Sequence, residues 1–435
     1  MSRSKTESFL KKTSHNKKVF ILNLGCARNL VDAQVWGSLL KNKGYRVYEF
    51  DKKARGNVIL NTCCFVEDAK KETIDALLDL MELKKKGQIK KLIVAGCFVK
   101  RYQKELLKEF KEIDALIGVL SLNNEGVVQS PFLMPAHYSY LKICESCYNH
   151  CSFCVIPSIK GNFISRNEKS ILEEVAFLDQ KGVKELNIVG QDITAYGMDI
   201  YKEKRLAKLL EKITAIVRNI RWIRLLYAFP AHITDELIDG IAKNEKICKY
   251  IDVPLQHIND TILKKMNRGI SKEETIALIK KIRRQIPQAQ LRTTFIVGFP
   301  GETEEMFQDL VDFVKETRFE KMGVFMYSKE EGTKAFSMPY QIDEETKKRR
   351  YDALMRVQQE ISGVLQKKNM GKIIKVLIDE KLESEDNDYL GRSSYDAPEV
   401  DGVIYVHSKK KLKPGDFVDV KITDALEYDL AGEIV

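Results

Sequence analysis

Three cysteines, Cys147, Cys151 and Cys154, stand at spacings of three and two intervening residues, with Cys144 just ahead of them. Thiolates are soft ligands suited to iron–sulfur clusters. Three of them hold three irons of a four-iron cluster and leave one iron open to a substrate or cofactor. The alternative for this loop is a structural zinc site with Cys144 as the fourth ligand. A second set, Cys26, Cys63 and Cys97, lies in NLGC, LNTC and VAGC, each at the end of an apolar run. Ligands of parallel sheets bind at the C-terminal strand ends, so thiols distant in sequence can converge there. The alternative is that a buried cysteine is only a small hydrophobe, which suits the isolated Cys248.

Other strand ends carry polar or conformationally special residues. FIVGFPGET places Gly298 and Gly301 after an apolar run and Glu302 near a helix start. Glycine permits close backbone approach to a ligand, and a helix N-terminus favours anionic groups. The same residues also fit an ordinary strand-to-helix turn. VGQDITAYG puts Gln191 and Asp192 at another strand end, and DVPLQH ends on His257, a substrate contact or a satisfied structural histidine. Arg166 is either the partner of a carboxylate or a solvated surface arginine.

These residues need a scaffold of repeated strand–helix units. KVFILNLG, NVILNTCC and KKLIVAGC read as strands, with IDALIGVL as a fourth. Segments of helical periodicity separate them. The pattern predicts a doubly wound parallel sheet. A turn-rich stretch over 121–139 reads as a linker. Six further units follow, with strands in YLKIC, ELNIVGQD, WIRLLYAFP, KYIDVPLQH, LRTTFIVGF and MGVFMYS. They predict an incomplete βα barrel with its chemistry at the strand C-terminal ends. After a long charged helix, short alternating strands with glycine turns predict a small closed β-barrel. The fold class expected is therefore α/β with a C-terminal β-barrel, in domains spanning 18–128, 137–367 and 370–435.

YLKICESCYNHCSFCVIPSIKGNFISR resembles the cluster loop of the radical S-adenosylmethionine enzymes, in particular the methylthiotransferases. NLGCARNLVDAQ, NTCCFVEDAK and VAGCFVKRY resemble the ligand segments of their N-terminal domain, and the final part resembles a TRAM domain. The resemblance implies a first 4Fe-4S cluster on Cys147, Cys151 and Cys154 that binds S-adenosyl-L-methionine, and a second 4Fe-4S cluster on Cys26, Cys63 and Cys97 that supplies sulfur. It places Phe153 near the adenine, makes Gly298 and Glu302 part of the cofactor site, and brings Gln191, Asp192 and Arg166 close to cofactor or substrate. No catalytic residue is implied beyond the cluster ligands. Ser146 stands where the family usually has glycine, Cys64 likewise, and Cys144 where a small residue is usual.

The 435 residues are 44% hydrophobic and 31% charged, with a net charge of +10. No apolar run reaches the roughly 18 residues of a membrane span, and Met1 to Lys18 lacks the apolar core of a secretory signal. It reads as a flexible tail. A cytoplasmic monomer is the expectation. Residues 371–435 carry nine basic and fifteen acidic side chains, a balance of −6, leaving +16 elsewhere. An RNA-gripping module should be basic; an acidic one suits a basic protein. An acidic surface can also serve solubility alone. GRSSYDAPEVDG, DVPLQH, YSKEEGT and ITDALEYDLAGEIV resemble the branch that methylthiolates an aspartate β-carbon of ribosomal protein S-twelve. The alternative is the branch that modifies an adenosine of tRNA. Either would draw on an electron donor such as a flavodoxin or ferredoxin.

Overall fold

The computed structural model describes residues 17–119, 133–383 and 387–435. The expected tail up to position 16 and the linker over 121–132 lie outside the described residues. The chain divides into two compact units. Of the described residues, one comprises 17–119, 133–134, 140–147 and 155–177, and the other 135–139, 148–154, 178–383 and 387–435.

The first unit is built on β1 (Lys18–Asn23), α1 (Ala27–Asn42), β2 (Arg46–Glu49), β3 (Gly56–Thr62), α2 (Glu67–Lys85), β4 (Ile89–Gly96), α3 (Cys97–Glu109) and β5 (Ala115–Ile117). The strands pair in parallel in the order β2-β1-β3-β4-β5. All seven residues of the central strand β3 are buried, as expected of a parallel strand covered on both faces. Alternation along the strands splits the core in two. Val58, Leu60, Leu92 and Val94 face Leu77 of α2 and Phe98 of α3. Val19, Ile21, Ile59 and Ile93 face Ala33, Trp36 and Leu40 of α1. The strand order reverses between β1 and β3, the kind of switch point at which doubly wound sheets bind ligands.

In the second unit β9 (Glu185–Val189), β10 (Trp222–Leu225), β11 (Ile247–Asp252), β12 (Gln290–Val297) and β13 (Lys321–Met326) form a parallel sheet. Its sixth position, next to β9, is taken by β6 (Tyr138–Lys142), whose first two residues belong to this unit. All six strands expected for the incomplete barrel are present. Between β6 and β9 run a short antiparallel ladder, β7 (Cys144–Glu145) with β8 (Ile164–Ser165), and the helices α4 (Ile156–Lys160) and α5 (Glu168–Gln180). The long charged helix is α11 (Glu344–Lys367), the helices α6 (Leu206–Ile216), α7 (Asp235–Lys243), α8 (Asp260–Met266), α9 (Lys272–Gln285) and α10 (Glu304–Thr317) preceding it.

A closed five-stranded barrel follows, β14 (Ile373–Lys381), β15 (Asp388–Ser393), β16 (Ile404–His407), β17 (Phe417–Ala425) and β18 (Leu430–Ile434), in the order β14-β15-β16-β18-β17. Its core is Val376, Ile378, Tyr389, Val406, Val420 and Ile422.

Segment 391–402 lies against buried charges on the parallel sheet. Arg392 Nη1 is 2.7 Å from Glu185 Oε2, an ion pair outside hydrogen-bond geometry. Arg224 Nε donates to Glu185 Oε1 at 2.9 Å and its Nη1 to the Ser394 carbonyl at 2.8 Å. Lys321 reaches Asp396 at 2.7 Å, and Tyr250 donates to Asp401 at 2.8 Å. Glu185 and Lys321 each begin a strand, so this is the N-terminal face, where such barrels place stability and not chemistry. The acidic excess read from the sequence is therefore not all outward. Asp379, Asp396, Glu399 and Asp401 pair with His137, Lys321, Tyr138 and Tyr250.

Candidate cluster and cofactor sites

The first trio gathers at the switch point. Cys26 caps the N-terminus of α1, Cys63 directly follows β3, and Cys97 is the first residue of α3, one position beyond the strand end expected for it. Glycines make the approach possible. Gly25 has φ +86°, and a Cβ there would meet the Cys63 Cβ at 2.6 Å. Gly96 has φ +102°, and a Cβ would meet the Thr62 carbonyl at 2.6 Å. A polar clasp ties the strand ends together: Asn29 Nδ2 donates to the Leu24 and Thr62 carbonyls at 3.0 and 3.1 Å, and Asn61 Nδ2 to the Asn29 carbonyl at 2.9 Å. Thr73 donates to the Cys63 carbonyl at 2.8 Å. Only the glycines among these are legible as turn signals.

The thiols feel one another. Burial pushes Cys63 up, with the Cys26 charge adding to it. Burial pushes Cys97 up to about 12, opposed by Lys160. At Cys26 burial acts upward, but Arg28 and two main-chain N–H groups outweigh it and hold the thiol below its ordinary value. Iron would displace these protons, because only thiolates ligate. The donor set fits a four-iron cluster: three reduced thiols at three loop ends, each free of a disulfide. Among the described residues no three side chains close around a single ion; cluster cysteines bind different irons and stand further apart than ligands of one metal. Cys64 is fully buried in the apolar core.

Cys147, Cys151 and Cys154 are all part-exposed and reduced. Cys154 N donates to the Cys151 carbonyl at 3.1 Å, forming a tight turn. Ser146 holds φ +61°, which explains why glycine suits that position, and its Oγ donates to the Gly161 carbonyl at 2.6 Å. Cys144 is fully buried and paired in the β7–β8 ladder with Ser165. Arg268, which sequence reasoning does not single out, places Nη1 3.3 Å from Cys151 Sγ. Its guanidinium lies 4.2 Å from the Phe229 ring centroid. The arginine in MNRGIS carries no motif that announces this contact.

The remaining residues sort by what they touch. Phe153 packs against Ile262, Met266, Phe299, Tyr327 and Ala335. Gln191 Oε1 is buried with no hydrogen-bond partner, as is Gln256 Oε1 beyond β11. Those acceptors suit a polar ligand at the strand C-terminal ends. Asp192 is fully buried; its Oδ2 accepts from Asn149 at 2.8 Å and pairs with His232 at 2.7 Å. Since Asn149 lies between Cys147 and Cys151, Asp192 tethers the cysteine loop. Glu302 accepts from Gly298 N and from Arg350 Nη1 at 3.0 Å. Gly298 has φ +73°, and a Cβ would meet Lys347 Cγ at 2.3 Å, so helix packing requires glycine here. His257 is buried, with Nε2 at 3.3 Å from Glu302 and Nδ1 accepting from Asn259 N at 3.0 Å, so both ring nitrogens have partners within the protein. Arg166 is not a solvated surface arginine: it pairs with Glu174 at 2.8 Å and donates to the Lys142 carbonyl at 2.9 Å.

A parallel sheet with thiols at its switch point, a six-stranded sheet, a three-cysteine loop and a closed barrel are the features of a radical S-adenosylmethionine enzyme. The chain matches the radical SAM superfamily over residues 141–314, the TRAM domain over 370–435 and Uncharacterized protein family UPF0004 over 18–118. It is 48% identical to the ribosomal protein uS12 methylthiotransferase RimO of Thermoanaerobacter sp. (strain X514), covering 96% of this chain and 100% of that one. It is 45% identical to the protein of the same name from Clostridioides difficile (strain 630), covering 96% and 99%. The chain belongs to the ribosomal protein uS12 methylthiotransferase RimO family. Among solved structures, the radical S-adenosylmethionine methyltransferase TsrM from Kitasatospora setae matches at 15% identity and TM-score 0.51 over 72% of this chain and 75% of that one. The cobalamin-dependent radical enzyme OxsB matches at 13% identity and TM-score 0.53 over 81% and 57%. Those likenesses concern the fold.

Proposed function

We propose that this chain adds a methylthio group to the β-carbon of an aspartate in small-subunit ribosomal protein uS12, using S-adenosylmethionine and two 4Fe-4S clusters. The observation that carries the reading is the end-to-end match to relatives of that name. Both cysteine trios stand in this chain to serve it. Cys147, Cys151 and Cys154 hold the cluster that engages S-adenosylmethionine, and Cys26, Cys63 and Cys97 hold the one that supplies sulfur. These groups bring the one-electron chemistry, the sulfur and the methyl, which no side chain provides.

The protein's work is placement. Gln191 offers its unpartnered carbonyl to the cofactor. Phe153 offers an aromatic face beside it. Asp192, through Asn149, fixes the cysteine loop. Glu302, held by Arg350 and Gly298, shapes the turn after β12, and Arg166, through Glu174, orders the backbone at Lys142. The same reading assigns 18–128 to the sulfur-supplying region, 137–367 to the radical region and 370–435 to substrate binding. It places a monomer in the cytoplasm, served by a flavodoxin or ferredoxin as electron donor. Among the described residues no helix is long and apolar enough to cross a membrane. The tRNA alternative is not favoured, because the relatives that span the chain are named for the ribosomal protein.

Alanine at Cys147, Cys151 and Cys154 together should abolish cleavage of S-adenosylmethionine. Alanine at Cys26, Cys63 and Cys97 should spare cleavage and stop sulfur insertion. Mass spectrometry of uS12 from cells lacking the chain should miss one methylthio group. Cleavage surviving in both triple variants would sink the assignment.

A further inference from the structure

The first unit contains a closed ring of four buried charges that neither cluster assignment uses. Lys142 pairs with Asp32 Oδ1 and, at 2.6 Å, with Glu145 Oε2; Lys160 stands 3.1 Å from Asp32 Oδ2 and 3.1 Å from Glu145 Oε1. Each carboxylate thus meets both ammonium groups. All four side chains are at most 6% exposed. Burying four charges carries a large desolvation penalty that pairing must offset. An apolar packing of this volume is often as stable, so the ring's position calls for a reason.

Its position is beside the first trio. Asp32 lies on α1, six residues after Cys26. Lys160 ends α4, whose Ile159 packs in one apolar cluster with Cys97, Phe98 and Cys64. Lys160 is the largest charge acting on Cys97, and Asp32 acts on it with the opposite sign. Arg28 is the corresponding cation on the Cys26 side. An iron–sulfur cluster on three thiolates is anionic, and nearby charge is one of the levers on its reduction potential.

We propose that Lys160, clamped between Asp32 and Glu145 beside Cys97, is a positioning residue that sets the reduction potential of the cluster carried by Cys26, Cys63 and Cys97. The inference rests on the ligand reading above. The clamp explains the buried carboxylates: they hold the ammonium in one place and keep it charged. The ring as a whole is neutral, so a substitution that unbalances it by one charge moves the potential in a direction set by that charge.

The test uses the full chain with Cys147→Ala, Cys151→Ala and Cys154→Ala, so that only the second cluster is present. Iron content is measured, then the midpoint potential by redox titration followed by electron paramagnetic resonance. Lys160→Met leaves the ring one charge negative and should lower the midpoint. Asp32→Asn leaves it one charge positive and should raise it. Lys160→Arg should return the parent value. A role in folding alone would not produce shifts of opposite sign. Shifts in one direction, or none, with iron retained, overturn the inference. If Lys160→Met loses its iron, Asp32→Asn decides, and an unchanged or lower midpoint overturns it. A parent variant without iron refutes the ligand reading and the inference together.

Discussion

Glu185→Gln is the sharpest probe of how the C-terminal barrel is held. The Glu185 and Arg224 side chains are fully buried. The substitution keeps volume and leaves one oxygen as acceptor, but it removes the negative charge. Arg392 retains Asp379, at 2.7 and 2.9 Å. Arg224 keeps the neutral amide oxygen, the carbonyls of Ser393 and Ser394 and the Tyr250 ring, 4.9 Å from its guanidinium carbon, but loses its carboxylate. Removing one partner of a buried pair costs about 3–5 kcal/mol; the retained acceptor puts this case near 3. Tenfold corresponds to about 1.4 kcal/mol, so opening-limited hydrogen exchange of the β15 amides should quicken about two orders of magnitude. Mass spectrometry of exchanged peptides over 388–393 reads this directly. Arg224→Met added to Glu185→Gln should recover part of the loss, because replacing both partners with groups of similar shape is often near neutral. Exchange within about threefold of the parent in the single variant would refute the reasoning.

Acid should loosen the same junction. Burial pushes Asp379 up, but His137 and Arg392 outweigh it, and at Asp396 Lys321 outweighs burial, so both carboxyls sit below the ordinary 3.8. Their stabilisation is whole above that value and is lost as pH falls through the depressed folded values. Trp222, packed edge-on to Phe417 with centroids 4.9 Å apart, reports this by fluorescence in a Trp36→Phe background, and a flat response below pH 3.8 would count against it. At Ser146 the αL conformation costs about 1–2 kcal/mol and the hydrogen bond to Gly161 returns about 1; thermal denaturation should find Ser146→Gly near neutral and Ser146→Val clearly destabilised. Gly25→Ala drives a Cβ into Cys63 and should cut iron by about half while cleavage of S-adenosylmethionine persists; full iron content would contradict the site. On the barrel, Asp424→Lys with Glu433→Lys should weaken binding of purified uS12 at low salt more than Lys410→Glu with Lys411→Glu does, and the reverse order would reject an acidic docking face.

The fold was legible where hydrophobic runs were long and helices intervened, and so were all six strands of the central sheet. What escaped was short or interrupted. β2 buries only Val47 of its four residues, too little for a period to appear. β15 contains Gly391, which reads as a turn; in the barrel a Cβ there would meet the Leu377 carbonyl at 2.7 Å, so close strand packing selects glycine. The two cysteine trios could be singled out from sequence, one by its close spacing and one by its place after three apolar runs, and the structure puts Cys26, Cys63 and Cys97 at three strand-to-helix junctions. Their supports were not legible: Arg268, Asn149 and the Asp32–Lys160 ring act through contacts between segments far apart in sequence, and spacing does not encode those.

The charge of the C-terminal module shows how an argument from composition changes once side chains have directions. The balance of −6 over 371–435 treats every carboxylate as surface. Asp379, Asp396 and Asp401 turn inward, and Arg392 with them, whereas Glu399 stays exposed while accepting from Tyr138. Without these three carboxylates and Arg392, eight basic and twelve acidic residues are left, a balance of −4. That is too small to select a basic partner by field strength alone, so distribution has to do it. Lys409, Lys410, Lys411 and Lys413 are exposed in the turn before β17, whereas Asp419, Asp424, Glu427 and Glu433 are exposed on or between β17 and β18. A basic ribosomal protein would be attracted to the second group and repelled by the first. The segment GRSSYDAPEVDG, which resembles the ribosomal-protein branch, seats the barrel on the sheet through Ser394, Asp396 and Asp401.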